Sequence, residues 1–206
     1  ARMMFTEVAS LPFRKIYSVD FEYCGADGEI PKIVCMVIED LRSGEISRYW
    51  RNDLCKMKTP PFETGEDVAI VSYFAPAEVQ SMLALCWAIN VSVIDLFAEF
   101  RCQTNGDPNV GRKSLVSALQ FYGLEQFIPE EKDSMRDLIL SGGPWSETQR
   151  SAILDYCQQD VIALGPLLDA MLRRAPWSEL KFNQAILRGR YMKAVGAMQH
   201  RGIPID

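Results

Sequence analysis

Two pairs of residues in this chain have the types and spacing to do chemistry. Asp20 and Glu22 stand two apart in IYSVDFEYC, residues 16–24. The strict alternation predicts a strand with Tyr17, Val19, Phe21 and Tyr23 on one face and Ser18, Asp20 and Glu22 on the other. Both carboxylates then leave the same face. Side by side and partly dehydrated, they repel each other, and a hard divalent cation would relieve both costs. Taken alone, a D-x-E pair reads first as a solvated strand face. The second pair is Tyr156 and Asp160 in DYCQQDVIAL. A spacing of four sets phenol and carboxylate on one side of a helix. Alone, that pair too is what an ordinary amphipathic helix carries.

The elements that must position these residues follow from periodicity and punctuation. Residues 32–41 read as a second strand and 45–50 as a third, with Ser43-Gly44 as the turn between them. With the first strand they predict an antiparallel meander. Residues 51–67 hold Pro60-Pro61 and Gly65 and read mainly as loop. VAIVSYF (68–74) is an apolar strand, and Pro76 opens a helix that runs through Val79, Met82, Leu83 and Leu85 to about Trp87. NVSVID (90–95) is a further strand, followed by a short helix through Phe100 and a polar loop over 103–113. From residue 114 the pattern is helical: 114–122, about 130–140, and a long helix from Ser146, where Ser146 with Gln149 resembles a capping box. Gly165-Pro166 is predicted to end or kink that helix. A final helix covers roughly 178–200. This order predicts an α/β class: a mixed sheet, three antiparallel strands and then parallel ones, covered by helices, as in the ribonuclease H-like fold.

The bulk numbers agree with a globular chain. Its 206 residues suit one domain with an appended element, and 48% apolar with 24% charged residues is ordinary composition. No apolar run approaches the ~20 residues of a membrane span, and the start lacks a signal-peptide layout. Six cysteines, at 24, 35, 55, 86, 102 and 157, form no C-x-x-C pair and have no histidine placed for zinc. They read as reduced, buried thiols of a cytoplasmic protein. A net charge of −5 argues against grip on nucleic acid by broad phosphate neutralisation. It leaves room for an enzyme that holds a few nucleotides beside bound cations.

Together the two pairs say more than either. An early strand with D-x-E and a late helix with Y-x-x-x-D resemble the DEDD 3′→5′ exonucleases of the tyrosine subclass, over about residues 13–175. The histidine subclass does not fit, because the only histidine, His200, lies forty residues past Asp160. The tail RGRYMKAVGAMQHRGIPID resembles the helix by which family A DNA polymerases pass from the exonuclease to the polymerase domain. It closes on a turn of the same kind, with Gly202, Ile203, Ile205 and Asp206. The resemblance implies an exonuclease domain over 1–175 and a helical segment over 176–206 leading toward a polymerase domain. The expectation is a piece of a longer enzyme.

The chain departs from the family at the carboxylate between the two motifs. No N-x-x-[FY]-D occurs. Glu78, at the third position of the helix counted from Pro76, stands where that aspartate belongs. Asp95, after the next strand, is the second candidate, and it is better suited to cap its helix. A glutamate reaches one methylene further, which would loosen the second of two cations. The family's helix before VAIVSYF also has no counterpart in the proline-rich 51–67.

The resemblance implies hydrolysis with two divalent cations, Mg2+ or Mn2+, about 3.5–4 Å apart. Asp20, Glu22 and Asp160 would hold one cation, Asp20 and Glu78 the other, and Tyr156 would orient the attacking water. The substrate would be a single-stranded DNA 3′ end and the product a nucleoside 5′-monophosphate. Phe21, Tyr73 and Phe74 are candidate stacking faces for unpaired bases. Arg112 and Lys113 could meet phosphate, although a solvated loop accounts for them as well. The rival readings are a ribonuclease D-like exoribonuclease and a catalytically silent exonuclease-fold module that supports a polymerase.

Overall fold

The computed structural model describes residues 5–26, 28–128 and 132–202. The alternating run around Asp20 forms β1 (Lys15–Cys24), and β2 (Lys32–Asp40) and β3 (Ile46–Trp50) follow. The turn between β2 and β3 closes with Gly44 at φ 76°, its N–H donating to the Asp40 carbonyl at 2.6 Å. β4 (Val68–Ser72) and β5 (Ser92–Asp95) complete a five-stranded sheet in the order β3-β2-β1-β4-β5. β1–β2 and β2–β3 are antiparallel, and β1–β4 and β4–β5 are parallel. The strand with the paired carboxylates is therefore the central one.

Helices cover both faces. They are α1 (Thr6–Ala9), α2 (Arg51–Leu54), α3 (Ala75–Ala84), α4 (Leu96–Gln103), α5 (Leu115–Phe121), α6 (Lys132–Leu140), α7 (Glu147–Arg174) and α8 (Glu179–Arg201). The even face of β1 and its neighbours lies under α7. There Ile16, Ala69, Val71 and Ile94 meet Leu164, Leu167, Leu168 and Met171 in one apolar cluster. The odd face carries Val19, Phe21, Met36 and Ile70, packed with Met82 of α3 and Met192 of α8. No helix among the described residues is long and apolar enough to cross a membrane.

The capping box forms: Ser146 Oγ accepts from the Gln149 N–H, and the Gln149 side chain accepts from the Ser146 N–H. α7 does not end at Gly165-Pro166 but runs on to Arg174. Pro166 removes one backbone donor, a cost of about 3 kcal/mol. Burial of Leu164, Leu167, Leu168 and Met171 around it outweighs that cost. At Gly165 a Cβ would stand 2.8 Å from the Phe5 ring and 2.9 Å from Leu41 Cδ2, so glycine lets both side chains close over the helix here.

Residues 51–67 are loop except for α2, whose Leu54 is fully buried. All six cysteines are free, but only Cys24, Cys35 and Cys157 are buried. Cys55, Cys86 and Cys102 are exposed, which corrects the expectation of buried thiols throughout. Two of them occupy helix ends that turn to solvent, Cys55 after α2 and Cys86 after α3 at φ 60°. Gly202 ends α8 at φ 69°, and Ile203, Ile205 and Asp206 lie outside the described residues.

Candidate active site

The site arises where strand lengths differ. β4 pairs with β1 only from Lys15↔Val68 to Ser18↔Val71, while β1 continues to Cys24. The far half of β1 is thus open on its β4 side. This is the region beyond the carboxyl ends of two adjacent parallel strands, where open α/β sheets bind their ligands. The first turn of α3 drops into that opening, and the Glu78 carboxylate accepts the backbone N–H of Phe21. On the other side β1 keeps its pairing with β2, Asp20 opposite Val37 and Glu22 opposite Cys35, and the register shifts immediately after Glu22. Such irregularities re-aim side chains next to functional sites.

α7 supplies the second half. Its Ile153, Cys157 and Val161, four apart, pack with Cys24, Val34, Cys35 and Val37. Tyr156 and Asp160 sit one position around the helix from that face and turn toward the open end of β1. Asp20, Glu22, Glu78, Tyr156 and Asp160 therefore line one cleft of about 780 Å3. Residues separated by 140 positions in the chain converge because α7 lies on the even face of β1 and α3 enters at its edge.

The electrostatics are those of crowded acids. Glu78 is 2% exposed, and its Oε2 is buried with no hydrogen-bond partner among the described residues. Burial, then the charges of Asp20 and Glu22, push its carboxyl well above the usual range, and the Phe21 N–H offsets this in part. An all-oxygen set with an orphaned buried carboxylate oxygen fits a hard divalent cation, which would supply the missing partner. Ligand atoms of Asp20, Glu22 and Cys157 lie within 4.8 Å of one another. Burial, followed by Asp160, Glu22 and Asp20, also raises the Tyr156 phenol far above its ordinary value. Its hydroxyl stays protonated near neutral pH and can donate or accept a hydrogen bond, but it is no base.

Asp95 has another occupation. It is buried, and its Oδ1 accepts from the Ala98 N–H and its Oδ2 from the Ala75 N–H, each at 2.8 Å. One carboxylate thus caps α4 and ties down the start of α3. Of the two candidates for the fourth acid, the fold brings Glu78 to the others and leaves Asp95 outside the cleft.

All three aromatic candidates line the cleft, and they differ in what else holds them. Phe21 is 4% exposed, with its ring centroid 6.4 Å from that of Trp87, so the core takes most of it. Tyr73 donates its hydroxyl to the Lys113 carbonyl at 2.5 Å and packs edge-on against Phe97. Phe74 is 39% exposed, lines the cleft, and holds a left-handed backbone at φ 73°. A bulky residue rarely adopts that conformation, and such strain concentrates at functional sites. Lys113 turns inward to Thr104 Oγ1 and the Val110 carbonyl, and neither it nor Arg112 lines the cleft. Sequence reasoning missed Arg136 of α6, the one cation lining the cleft among the described residues. It missed Cys157 as well, although that residue adjoins Tyr156 in the motif.

No family model matches the chain, and no curated protein does. Solved structures do. NrnC of Brucella melitensis bound to pGG aligns with a TM-score of 0.65 at 15% identity, over 91% of this chain and 85% of that one. NrnC with bound Mg2+ aligns with a TM-score of 0.55 at 13% identity, over 91% and 86%. Escherichia coli RNase D, an exoribonuclease involved in structured RNA processing, aligns with a TM-score of 0.54 at 14% identity, over 97% of this chain and 48% of that one. The fold is that of these nucleases.

In this ribonuclease H-like exonuclease fold α8 is docked on the core. Its Ala185, Gly189, Met192 and Gly196 form one buried stripe. Gly189 lies so close to β5 that a Cβ would fall 1.8 Å from the Val93 carbonyl oxygen. Lys193 donates to the Ile89 carbonyl, and Arg188 makes two hydrogen bonds to buried Glu99, at 2.7 and 2.8 Å. At the rim of the cleft Gln199 accepts from Gln80 of α3 at 3.0 Å.

Proposed function

We propose that this chain is a divalent-cation-dependent 3′→5′ exonuclease that removes nucleoside 5′-monophosphates from single-stranded 3′ ends of DNA. The convergence of Asp20, Glu22, Glu78, Tyr156 and Asp160 on one cleft carries this reading. Asp20, Glu22 and Asp160 would hold one Mg2+ or Mn2+, and Asp20 with Glu78 the other. Such cations, when bound, neutralise the phosphate and lower the barrier to attack by water. A cation would offset the repulsion that Asp20 and Glu22 exert on buried Glu78.

The chain's own residues do the rest. The Tyr156 hydroxyl orients the attacking water. Water forms the new bond to phosphorus as the bond to the 3′ oxygen breaks, and that oxygen leaves as the shortened strand's 3′ hydroxyl. Phe74 offers its exposed ring to an unpaired base, a contact that a paired end cannot make. Arg136 is the cation available to the phosphate backbone among the described residues of the cleft, whose other charged side chains are acids.

The DNA assignment and the role in proofreading rest on the resemblance of residues 188–206 to the family A polymerase connection. On that reading 1–175 is the exonuclease domain, and 176–206 leads to a polymerase domain as its partner. Six free thiols suit a reducing, cytoplasmic setting. A second reading, an exoribonuclease, is favoured by the likeness to RNase D.

The test is degradation of 5′-labelled single-stranded DNA and RNA oligonucleotides of one sequence with Mg2+ or Mn2+. The wild type is expected to shorten the DNA stepwise from its 3′ end, and an Asp20→Ala/Glu22→Ala variant is not. Equal products from both proteins would remove the enzyme assignment. Faster shortening of RNA would select the second reading.

A further inference from the structure

The mechanism above leaves Cys157 unused, although it touches the centre of the site. In α7 it follows Tyr156 directly, and one helical step turns it from the cleft to the sheet. It is fully buried. Its Sγ stands 3.4 Å from Oδ2 of Asp20 and 3.4 Å from the Asp20 carbonyl oxygen. A thiol is a weak donor, and an ionised carboxylate only accepts, so the S–H serves Asp20. Cys35 of β2, in register with Glu22, is in hydrogen-bonding contact with the Cys157 thiol. The base of the site is therefore a run from buried Cys35 through buried Cys157 to half-buried Asp20, joining β2, α7 and β1.

The physical need for such a tie is plain. Asp20 and Glu22 leave one face of one strand, and like charges so placed drive each other apart. Asp20 has two side-chain torsions to rotate its carboxylate away. A donor from beneath fixes one oxygen of a carboxylate that lines the cleft. Groups that orient a ligand in this way commonly matter 10- to 100-fold in metal affinity. Sulfur is a poor ligand for Mg2+ or Mn2+ beside so many oxygens, so orientation, not ligation, is the use the geometry allows.

We propose that Cys157 is a positioning residue: its S–H, donated to Oδ2 of Asp20, holds that carboxylate in the orientation that receives a divalent cation. This rests on the reading of the cleft as a cation-dependent nuclease site, and the experiment separates the two. Mn2+ is titrated into the whole purified chain without substrate, and free Mn2+ is followed by electron paramagnetic resonance. The proteins are the wild type, C157S, C157V, C157A and the Asp20→Ala/Glu22→Ala variant, each with its thermal midpoint measured in chelator.

Serine keeps a donor, valine fills the space without one at the cost of an added methyl group, and alanine is a second, smaller donorless variant should valine not fold. C157V or C157A is expected to bind Mn2+ roughly 10-fold more weakly, and C157S to stay close to the wild type. Wild-type affinity in a folded donorless variant would overturn the proposal. So would equal weakening in C157S and C157V, because packing alone would then be at work. A wild type that binds no more Mn2+ than the Asp20→Ala/Glu22→Ala variant would remove the nuclease reading itself, and the role of Cys157 with it.

Discussion

Gly196 of α8 lies against Val79 of α3, the residue after Glu78. A Cβ at position 196 would stand 2.7 Å from the Val79 Cβ and 2.8 Å from the Pro76 carbonyl oxygen. The turn that carries the buried acid is thus seated on α8, which in this way contributes to the site. Gly196→Ala is expected to cost about 1–3 kcal/mol by overpacking, read from urea unfolding. It should also lower exonuclease activity under conditions where the protein remains folded. Gly189→Ala should cost more, because it meets backbone that cannot rotate away. An alanine at either position with unchanged stability would contradict the packing.

Glu78 is expected to trade stability for activity. Glu78→Gln keeps the shape but removes a buried acid that Asp20 and Glu22 repel. Its thermal midpoint in cation-free buffer should equal or exceed the wild type's. Its kcat should fall roughly 100-fold, about 3 kcal/mol of barrier. A lower midpoint with undiminished kcat would show that Glu78 is merely structural.

Asp95 gives a pH test away from the cleft. Burial raises its carboxyl from 3.8 to about 6, against the pull of the backbone N–H groups of Ala98, Ala75 and Phe97. The folded state therefore binds this proton more tightly than the unfolded state. Its contribution to stability is fully present below pH 3.8, is lost as pH rises to about 6, and is constant above that. Asp95→Asn does not titrate, so wild-type stability relative to it should fall by about 3 kcal/mol across that window in urea unfolding. A flat difference would refute the shift. Asp95→Ala loses both caps and should cost about 2–4 kcal/mol.

Phe74 sets strain against function. Glycine relieves the left-handed backbone, worth about 1–2 kcal/mol, and gives up the edge contact with Phe97 at 5.3 Å. Phe74→Gly should stay within about 1 kcal/mol of the wild type, while Phe74→Ala, which keeps the strain, should be less stable. Both should raise KM for single-stranded DNA roughly 10-fold through lost stacking. An unaltered KM in both would remove Phe74 from the substrate path.

Much of this site is legible in the chain because its signals are local. Period-two alternation puts Asp20 beside Glu22, a spacing of four puts Tyr156 beside Asp160, and Pro76 after VAIVSYF marks the helix start that carries Glu78. What depends on how elements meet is not legible. The bond from Cys157 to Asp20 exists only because the Ile153–Cys157–Val161 face lands on β1. Arg136 reaches the cleft through the placement of α6. The docking of α8 uses glycines seven apart, and glycine leaves no mark in an apolar pattern. Pro166 misleads for a related reason: its local penalty is visible in sequence, and the burial that outweighs it is not.

The claim beneath all of this is that four acids distant in the chain share cations. Anomalous diffraction from crystals soaked in Mn2+ tests it most directly. Peaks are expected in the cleft, one coordinated by Asp20, Glu22 and Asp160 and a second by Asp20 and Glu78. No peak there, or a Mn2+ bound by Asp95 and remote from Glu78, would contradict it.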